Sequence, residues 1–258
     1  MDLLKALYNI NSKSGCEGRI KAFVLQQLAD VPLVIEEDEI GNLFLTKGVA
    51  RKYPCVTAHL DEVHETSPFR IVEEASGIFG EDELGNMTGI GADDKNGLWI
   101  IIKLLHDVPV LKVALFVEEE KKGELAGCRG SKSCSLKHFE NVLYVLAVDR
   151  KGCSEVVING KGDVKLCDAS FPPAHLLQQY EYECVDGGKT DVVELKMRGL
   201  SVPCCNISCG YYNAHKSDEY TNVLHLRKAY AFCSCVGRIY LRNRKTLFKP
   251  IVTYEQDY

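Results

Sequence analysis

Val142-Leu143-Tyr144-Val145-Leu146-Ala147-Val148, followed at once by Asp149, is the stretch on which the fold turns. It is a short apolar run without alternation, which suits a strand covered on both faces, the habit of parallel sheets in α/β proteins. Working outward, residues 112–117, 54–59 and 202–208 read as further strands, the first two short and apolar. Helical spacing fills the intervals: 94–106, rich in Leu and Ile around Trp99, then 172–183 and 222–240. Upstream, 2–9 and 16–29 read as helices, the second with Ile20, Phe23, Val24, Gln27 and Leu28 at helical spacing after Ser14-Gly15. Residues 33–37 and 42–46 are β-rich around Glu39-Ile40-Gly41, which predicts a hairpin, and 70–79 alternates like strand. No repeat and no long linker interrupts this order. The expectation is an α/β chain, a three-layer α/β/α sandwich with a mainly parallel, mixed central sheet, forming a single domain over residues 1–258.

Composition narrows the function classes. The chain has 258 residues, 46% hydrophobic and 26% charged, and a formal net charge of −5. An acidic balance argues against a nucleic-acid partner, since phosphate binding needs a concentrated basic face. No apolar run reaches the roughly 18–20 residues of a membrane span, so no membrane partner is expected. The opening Met1-Asp2-Leu3-Leu4-Lys5-Ala6-Leu7-Tyr8 lacks the basic segment and cleavage site of a secretory signal. Twelve cysteines are scattered without a CxxC pair. Without export they read as reduced, mostly buried thiols, and a cytoplasmic location is expected. Nothing in the sequence sets an oligomeric state.

The polar residues that follow the apolar strands carry the functional signal, because open α/β sheets build sites at the carboxyl ends of their strands. The strand at 54–59 runs into Ala58-His59-Leu60-Asp61, whose period of two puts His59 and Asp61 on one side. A carboxylate so placed can orient the imidazole and raise its basicity. Gly91-Ala92-Asp93-Asp94-Lys95-Asn96-Gly97 enters the Trp99 helix, Leu115-Phe116-Val117 runs into Glu118-Glu119-Glu120, and Val148 into Asp149. After the strand at 202–208 comes Gly210-Tyr211-Tyr212-Asn213-Ala214-His215. Taken singly, each has an ordinary explanation: a helix start, a solvated charged turn, a surface histidine. Their common position in one ordered series is what a strand-end cleft requires.

In that order the motifs Ala-His-Leu-Asp, Gly-Ala-Asp-Asp-Lys-Asn-Gly, Val-Asp-Arg-Lys-Gly and Asn-Ile-Ser-Cys-Gly-Tyr-Tyr-Asn-Ala-His resemble the co-catalytic dizinc exopeptidases, the superfamily of peptidase T, aminoacylases and zinc aminopeptidases. The resemblance runs from the His59 strand to His215 and beyond. It implies two Zn2+ ions, with Co2+ or Mn2+ also suited to the donors, joined by Asp93. His59 and Asp149 would complete one ion, Glu120 and His215 the other. Asp61 would support His59 without binding metal. Glu119 would be the general base, activating a water between the metals for hydrolysis of a peptide bond near a chain end. The implied substrate is a small peptide, or an N-acylated amino acid if the site serves an amidase; a non-catalytic metal-binding module is the reading from another class. Tyr211, Tyr212 and Asn213 are candidate substrate or oxyanion contacts.

Two departures from the family pattern matter. The family has Glu-Glu-x-Gly, whereas Glu118-Glu119-Glu120-Lys121-Lys122-Gly123 offers three glutamates, so the base and ligand pair is either Glu119/Glu120 or Glu118/Glu119. Many peptidase T-like members insert a lid or dimerisation domain between the fourth and fifth ligand positions. The interval from Asp149 to His215 is too short for that insertion plus the returning strands, which implies a catalytic domain alone.

Overall fold

The computed structural model of the protein describes residues 1–121, 127–168 and 170–242. Lys122 and Gly123, the end of the acidic tract, lie outside the described residues. The Val142–Arg150 strand sits near the middle of a nine-stranded sheet. Its neighbours are the parallel strands Tyr53–His59 and Cys204–Ser208, and Leu111–Phe116 lies parallel on the far side of Tyr53–His59. Antiparallel strands flank this parallel centre. Leu33–Glu37 and Leu43–Lys47 form the expected hairpin beside Leu111–Phe116, and Glu155–Gly160 runs antiparallel to Cys204–Ser208.

The unbroken apolar runs have a direct structural cause. Along each central strand, residues alternate between two separate cores. Val56, Val113, Leu146 and Val148 enter one, while Cys55, Ala114, Phe116, Val145 and Ala147 enter the other. Helices Asp2–Tyr8, Gly18–Gln27, Ala92–Asp107 and Val223–Arg242 supply the first core, and Asp191–Met197 the second. The sheet is therefore covered on both sides, giving the expected three layers. Among the described residues no helix is long and apolar enough to cross a membrane. All twelve cysteines are free thiols, and eight of them are buried.

Two sequence expectations change. The helix expected over 172–183 is confined to Ala174–Gln179, because Pro172 and Pro173 precede it and Glu181 adopts a positive φ of 50° after it. The chain then forms a strand, Glu183–Asp186, parallel to Glu155–Gly160. The alternation at 70–79 is two strands, Arg70–Glu74 and Gly77–Glu81, in a second, five-stranded sheet. That sheet also contains Tyr211–Tyr212 and Tyr220–Thr221, which bracket His215.

Register determines where the site forms. Thr57 is level with both Ala114 and Ala147, and His59 is level with Phe116. Parallel strands thus end together, and His59, the acidic tract after Phe116, and Asp149 emerge at one edge.

Candidate functional site

At that edge His59 is 1% exposed, with Nε2 3.0 Å from Asp93 Oδ1 and 3.4 Å from Asp149 Oδ1. His215 Nε2 lies 2.5 Å from Glu120 Oε1 and 3.3 Å from Asp93 Oδ2. Asp93 thereby gives one oxygen to each imidazole. The sets His59–Asp93–Asp149, Asp93–Glu120–His215 and His59–Glu119–Glu120 each place their donor atoms within 4.8 Å of one another, close enough to hold a metal ion. Imidazole nitrogens and carboxylate oxygens form a donor set that suits Zn2+ and related divalent ions. Asp93, Glu119, Glu120, Asp149, Tyr211 and His215 all line one cavity of about 260 Å3.

Asp61 joins the two halves of the site. His59 Nδ1 lies 3.0 Å from the Asp61 carbonyl oxygen and 3.4 Å from its Oδ1. The same carboxylate accepts the backbone N–H groups of Glu119 and Glu120 at 2.8 and 2.9 Å, and the Ser14 hydroxyl at 2.5 Å. One buried residue therefore holds both the ring, chiefly through its carbonyl, and the turn that presents the two glutamates, through its carboxylate. Glu118 points elsewhere: with φ 53° it leaves the strand and pairs with Lys121 at 3.0 Å and Arg129 at 2.6 Å. Of the two possible glutamate pairs, geometry brings Glu119/Glu120 to the imidazoles.

The aromatic segment divides. Tyr211 is buried, its hydroxyl 3.4 Å from Asp149 Oδ1. Tyr212 instead stacks on Tyr220 and bonds His225 at 2.7 Å, and Asn213 bonds Asp218 at 2.9 Å; both line a neighbouring cavity. Neither Tyr212 nor Asn213 is brought onto the cluster. Three contacts had no sequence signal. Cys128 Sγ donates to Glu119 Oε1 at 3.0 Å, Ser14 donates to Asp61, and Asn206 exchanges hydrogen bonds with the backbone N–H and carbonyl of Asp149 at 2.9 and 2.8 Å.

No protein-family model and no curated protein sequence matches the chain. Solved structures do. Aminopeptidase PepT from Bacillus cereus aligns with a TM-score of 0.77 and 14% identity, covering 92% of this chain and 96% of that one. A tripeptidase from Staphylococcus aureus gives 0.77 and 14%, covering 93% and 97%. The TET1 peptidase of Pyrococcus horikoshii gives 0.63 and 16%, covering 92% and 98%. The chain has the fold of these peptidases. The resemblance expected from the motifs holds at the level of architecture.

Charge crowding sets the protonation of the site. Burial pushes Asp149 well above the usual carboxylate range, and neighbouring Asp93 adds to this. Burial also pushes Glu119 up, to about 7, with Glu120 adding repulsion against the attraction of His59. Asp93 moves the other way: burial opposes its charge, but the imidazoles of His215 and His59 hold it well below the usual range. Burial disfavours a charged His59, yet Asp149, Asp61 and Asp93 outweigh it and keep the ring protonated well above its ordinary value. Asp93 and Glu120 raise His215 to about 10.

Metal ligation requires neutral imidazoles, so a cation entering the metal-free site must displace the protons of His59 and His215 at neutral pH. Apparent Zn2+ affinity is expected to rise with pH up to about 10, where His215 loses its proton unaided. Calorimetric titration in two buffers of different ionisation enthalpy should detect about one imidazole proton released per ion bound, with a further contribution from the raised Asp149 carboxyl. Proton-independent binding would contradict this arrangement of charges.

Proposed function

We propose that the chain is a metal-dependent exopeptidase, an aminopeptidase or di/tripeptidase that hydrolyses a peptide bond near a chain end. The observation that carries the proposal is Asp93, whose two oxygens face two different imidazoles beside the raised carboxyl of Glu119. In this reading His59 and Asp149 would hold one divalent ion, Glu120 and His215 would hold a second, and Asp93 would serve both. Zn2+ is the expected metal, and Co2+ or Mn2+ would fit the same donors. When bound, such a pair supplies Lewis acidity to the scissile carbonyl and to the attacking water.

The remaining roles belong to the protein. Glu119 takes the proton of the attacking water on its carboxylate and passes it to the leaving amine. The Cys128 thiol holds Oε1, which fixes the orientation of the carboxylate and leaves Oε2 for the proton. Asp61 keeps His59 oriented and the Glu119–Glu120 turn in place. Tyr211, the one residue of the aromatic segment that lines the cavity, is the candidate donor to the developing oxyanion. We further propose that residues 1–258 act as a catalytic domain without an inserted lid, so the oxyanion donor is not supplied by such a lid.

A free-amine dipeptide and its N-acetylated counterpart separate the readings. Zn2+-dependent release of amino acids from the free-amine peptide is expected. Cleavage of the acetylated form alone would move the chain to the amidase class. Bound metal without hydrolysis of either would leave a binding module.

A further inference from the structure

The turn that presents Asp93 is itself gripped by a second set of buried charges. Glu219, 1% exposed, accepts at Oε2 from the backbone N–H of Gly91 at 2.7 Å and of Ile90 at 3.1 Å, with His64 Nε2 also at 3.1 Å. Its Oε1 accepts from the backbone N–H of Asp93 at 3.3 Å. A buried ion pair holds the same turn: Lys95 Nζ donates to Glu62 Oε1 at 2.8 Å and to the Ile90 carbonyl at 3.3 Å. The turn has no slack between these groups. Gly91 adopts φ +63°, and a Cβ there would overlap the Glu62 carboxylate; a Cβ on Gly89 would overlap the His64 ring.

The location of Glu219 gives this grip a purpose. It lies four positions after His215, at the start of the Tyr220–Thr221 strand that anchors the His215 loop to the small sheet. Glu219 and Asp93 are 126 positions apart in sequence. A single carboxylate therefore ties the segment carrying the second imidazole to the turn carrying the shared aspartate.

We propose that Glu219 is a positioning residue for the cation pair, locking the Asp93 turn and the His215 loop in register before any cation arrives. The inference rests on the two-cation reading given above. A carboxylate suits the task because three partners are backbone N–H donors and the fourth, His64 Nε2, can donate in the matching tautomer. In Glu219→Gln the amide oxygen can keep the three donors at Oε2, but its NH2 then meets the Asp93 N–H, donor against donor. Glu219→Asp keeps the charge and loses the reach.

The test is a Zn2+ titration of the metal-free full chain and both variants against a chelating dye, with melting temperatures of the metal-free proteins. Groups that orient metal ligands typically contribute about 10- to 100-fold in affinity, and a loss of that size is expected for both equivalents in whichever variant folds. A folded variant that takes two equivalents at parent affinity, even with a lowered melting temperature, would reduce Glu219 to a structural role and overturn the proposal. Hydrogen exchange of the metal-free parent needs no variant: the amides of Ile90, Gly91 and Asp93 should exchange slowly, and free exchange of these amides until Zn2+ is added would also overturn it. A parent that binds no divalent ion would instead remove the two-cation reading itself.

Discussion

Glu119→Gln is expected to lower kcat by about 10^2- to 10^4-fold, the usual contribution of a general base, with KM and metal content near those of the parent. The substitution is nearly isosteric, and its amide oxygen can still accept the Cys128 thiol, so the turn held by Asp61 should persist. What disappears is the ability to take a proton. Glu118→Gln is the matched control. Glu118 is engaged with Lys121 and Arg129, away from the imidazoles, so its loss should disturb the local ion pairs far more than turnover. Steady-state kinetics with a free-amine dipeptide read both variants. Should Glu119→Gln bind metal and turn over like the parent, Glu119 is not the base; should Glu118→Gln be the dead variant, the glutamate pair has been assigned one residue too late.

How far the sequence reveals this molecule depends on the range of the forces involved. The run at 142–148 is legible because both faces of its strand are covered, so the pattern needs no knowledge of the partners. His59 and Asp149 are legible for the same reason: each follows such a run, and parallel register brings their strand ends level. The support behind them is not. Asp61 holds the amides of Glu119 and Glu120 across 58 and 59 positions, and no local pattern encodes that contact. Glu219 likewise looks like one more charged residue in a polar loop. The aromatic segment misleads in the opposite sense. Tyr211, Tyr212 and Asn213 adjoin in sequence, but a strand sends neighbouring side chains to opposite faces, and positive φ at Asn213 and His215 turns the chain again. Only Tyr211 stays with the cluster.

The sharpest separation is expected between Asp93→Ala and Asp149→Ala. Asp93 has Oδ1 on His59 and Oδ2 on His215, so its removal withdraws a donor from both halves at once. Both cations should be lost on dialysis, with affinity weakened by more than about 100-fold, beyond what orienting groups contribute. Of the two imidazoles Asp149 pairs with His59, so its removal should release one cation and leave the Glu120–His215 half filled. Stability reports the same difference. Asp149 and Glu119 are both lifted by burial among like charges, and a bound cation relieves that crowding. Zn2+ at a hundredfold excess over its Kd should stabilise the parent by about 2.7 kcal/mol per site. Melting curves with and without Zn2+ should therefore show a large rise for the parent, a smaller one for Asp149→Ala and almost none for Asp93→Ala. If both variants retain two ions and the full thermal shift, Asp93 is not shared, and the two halves of the cavity are independent sites rather than one paired centre.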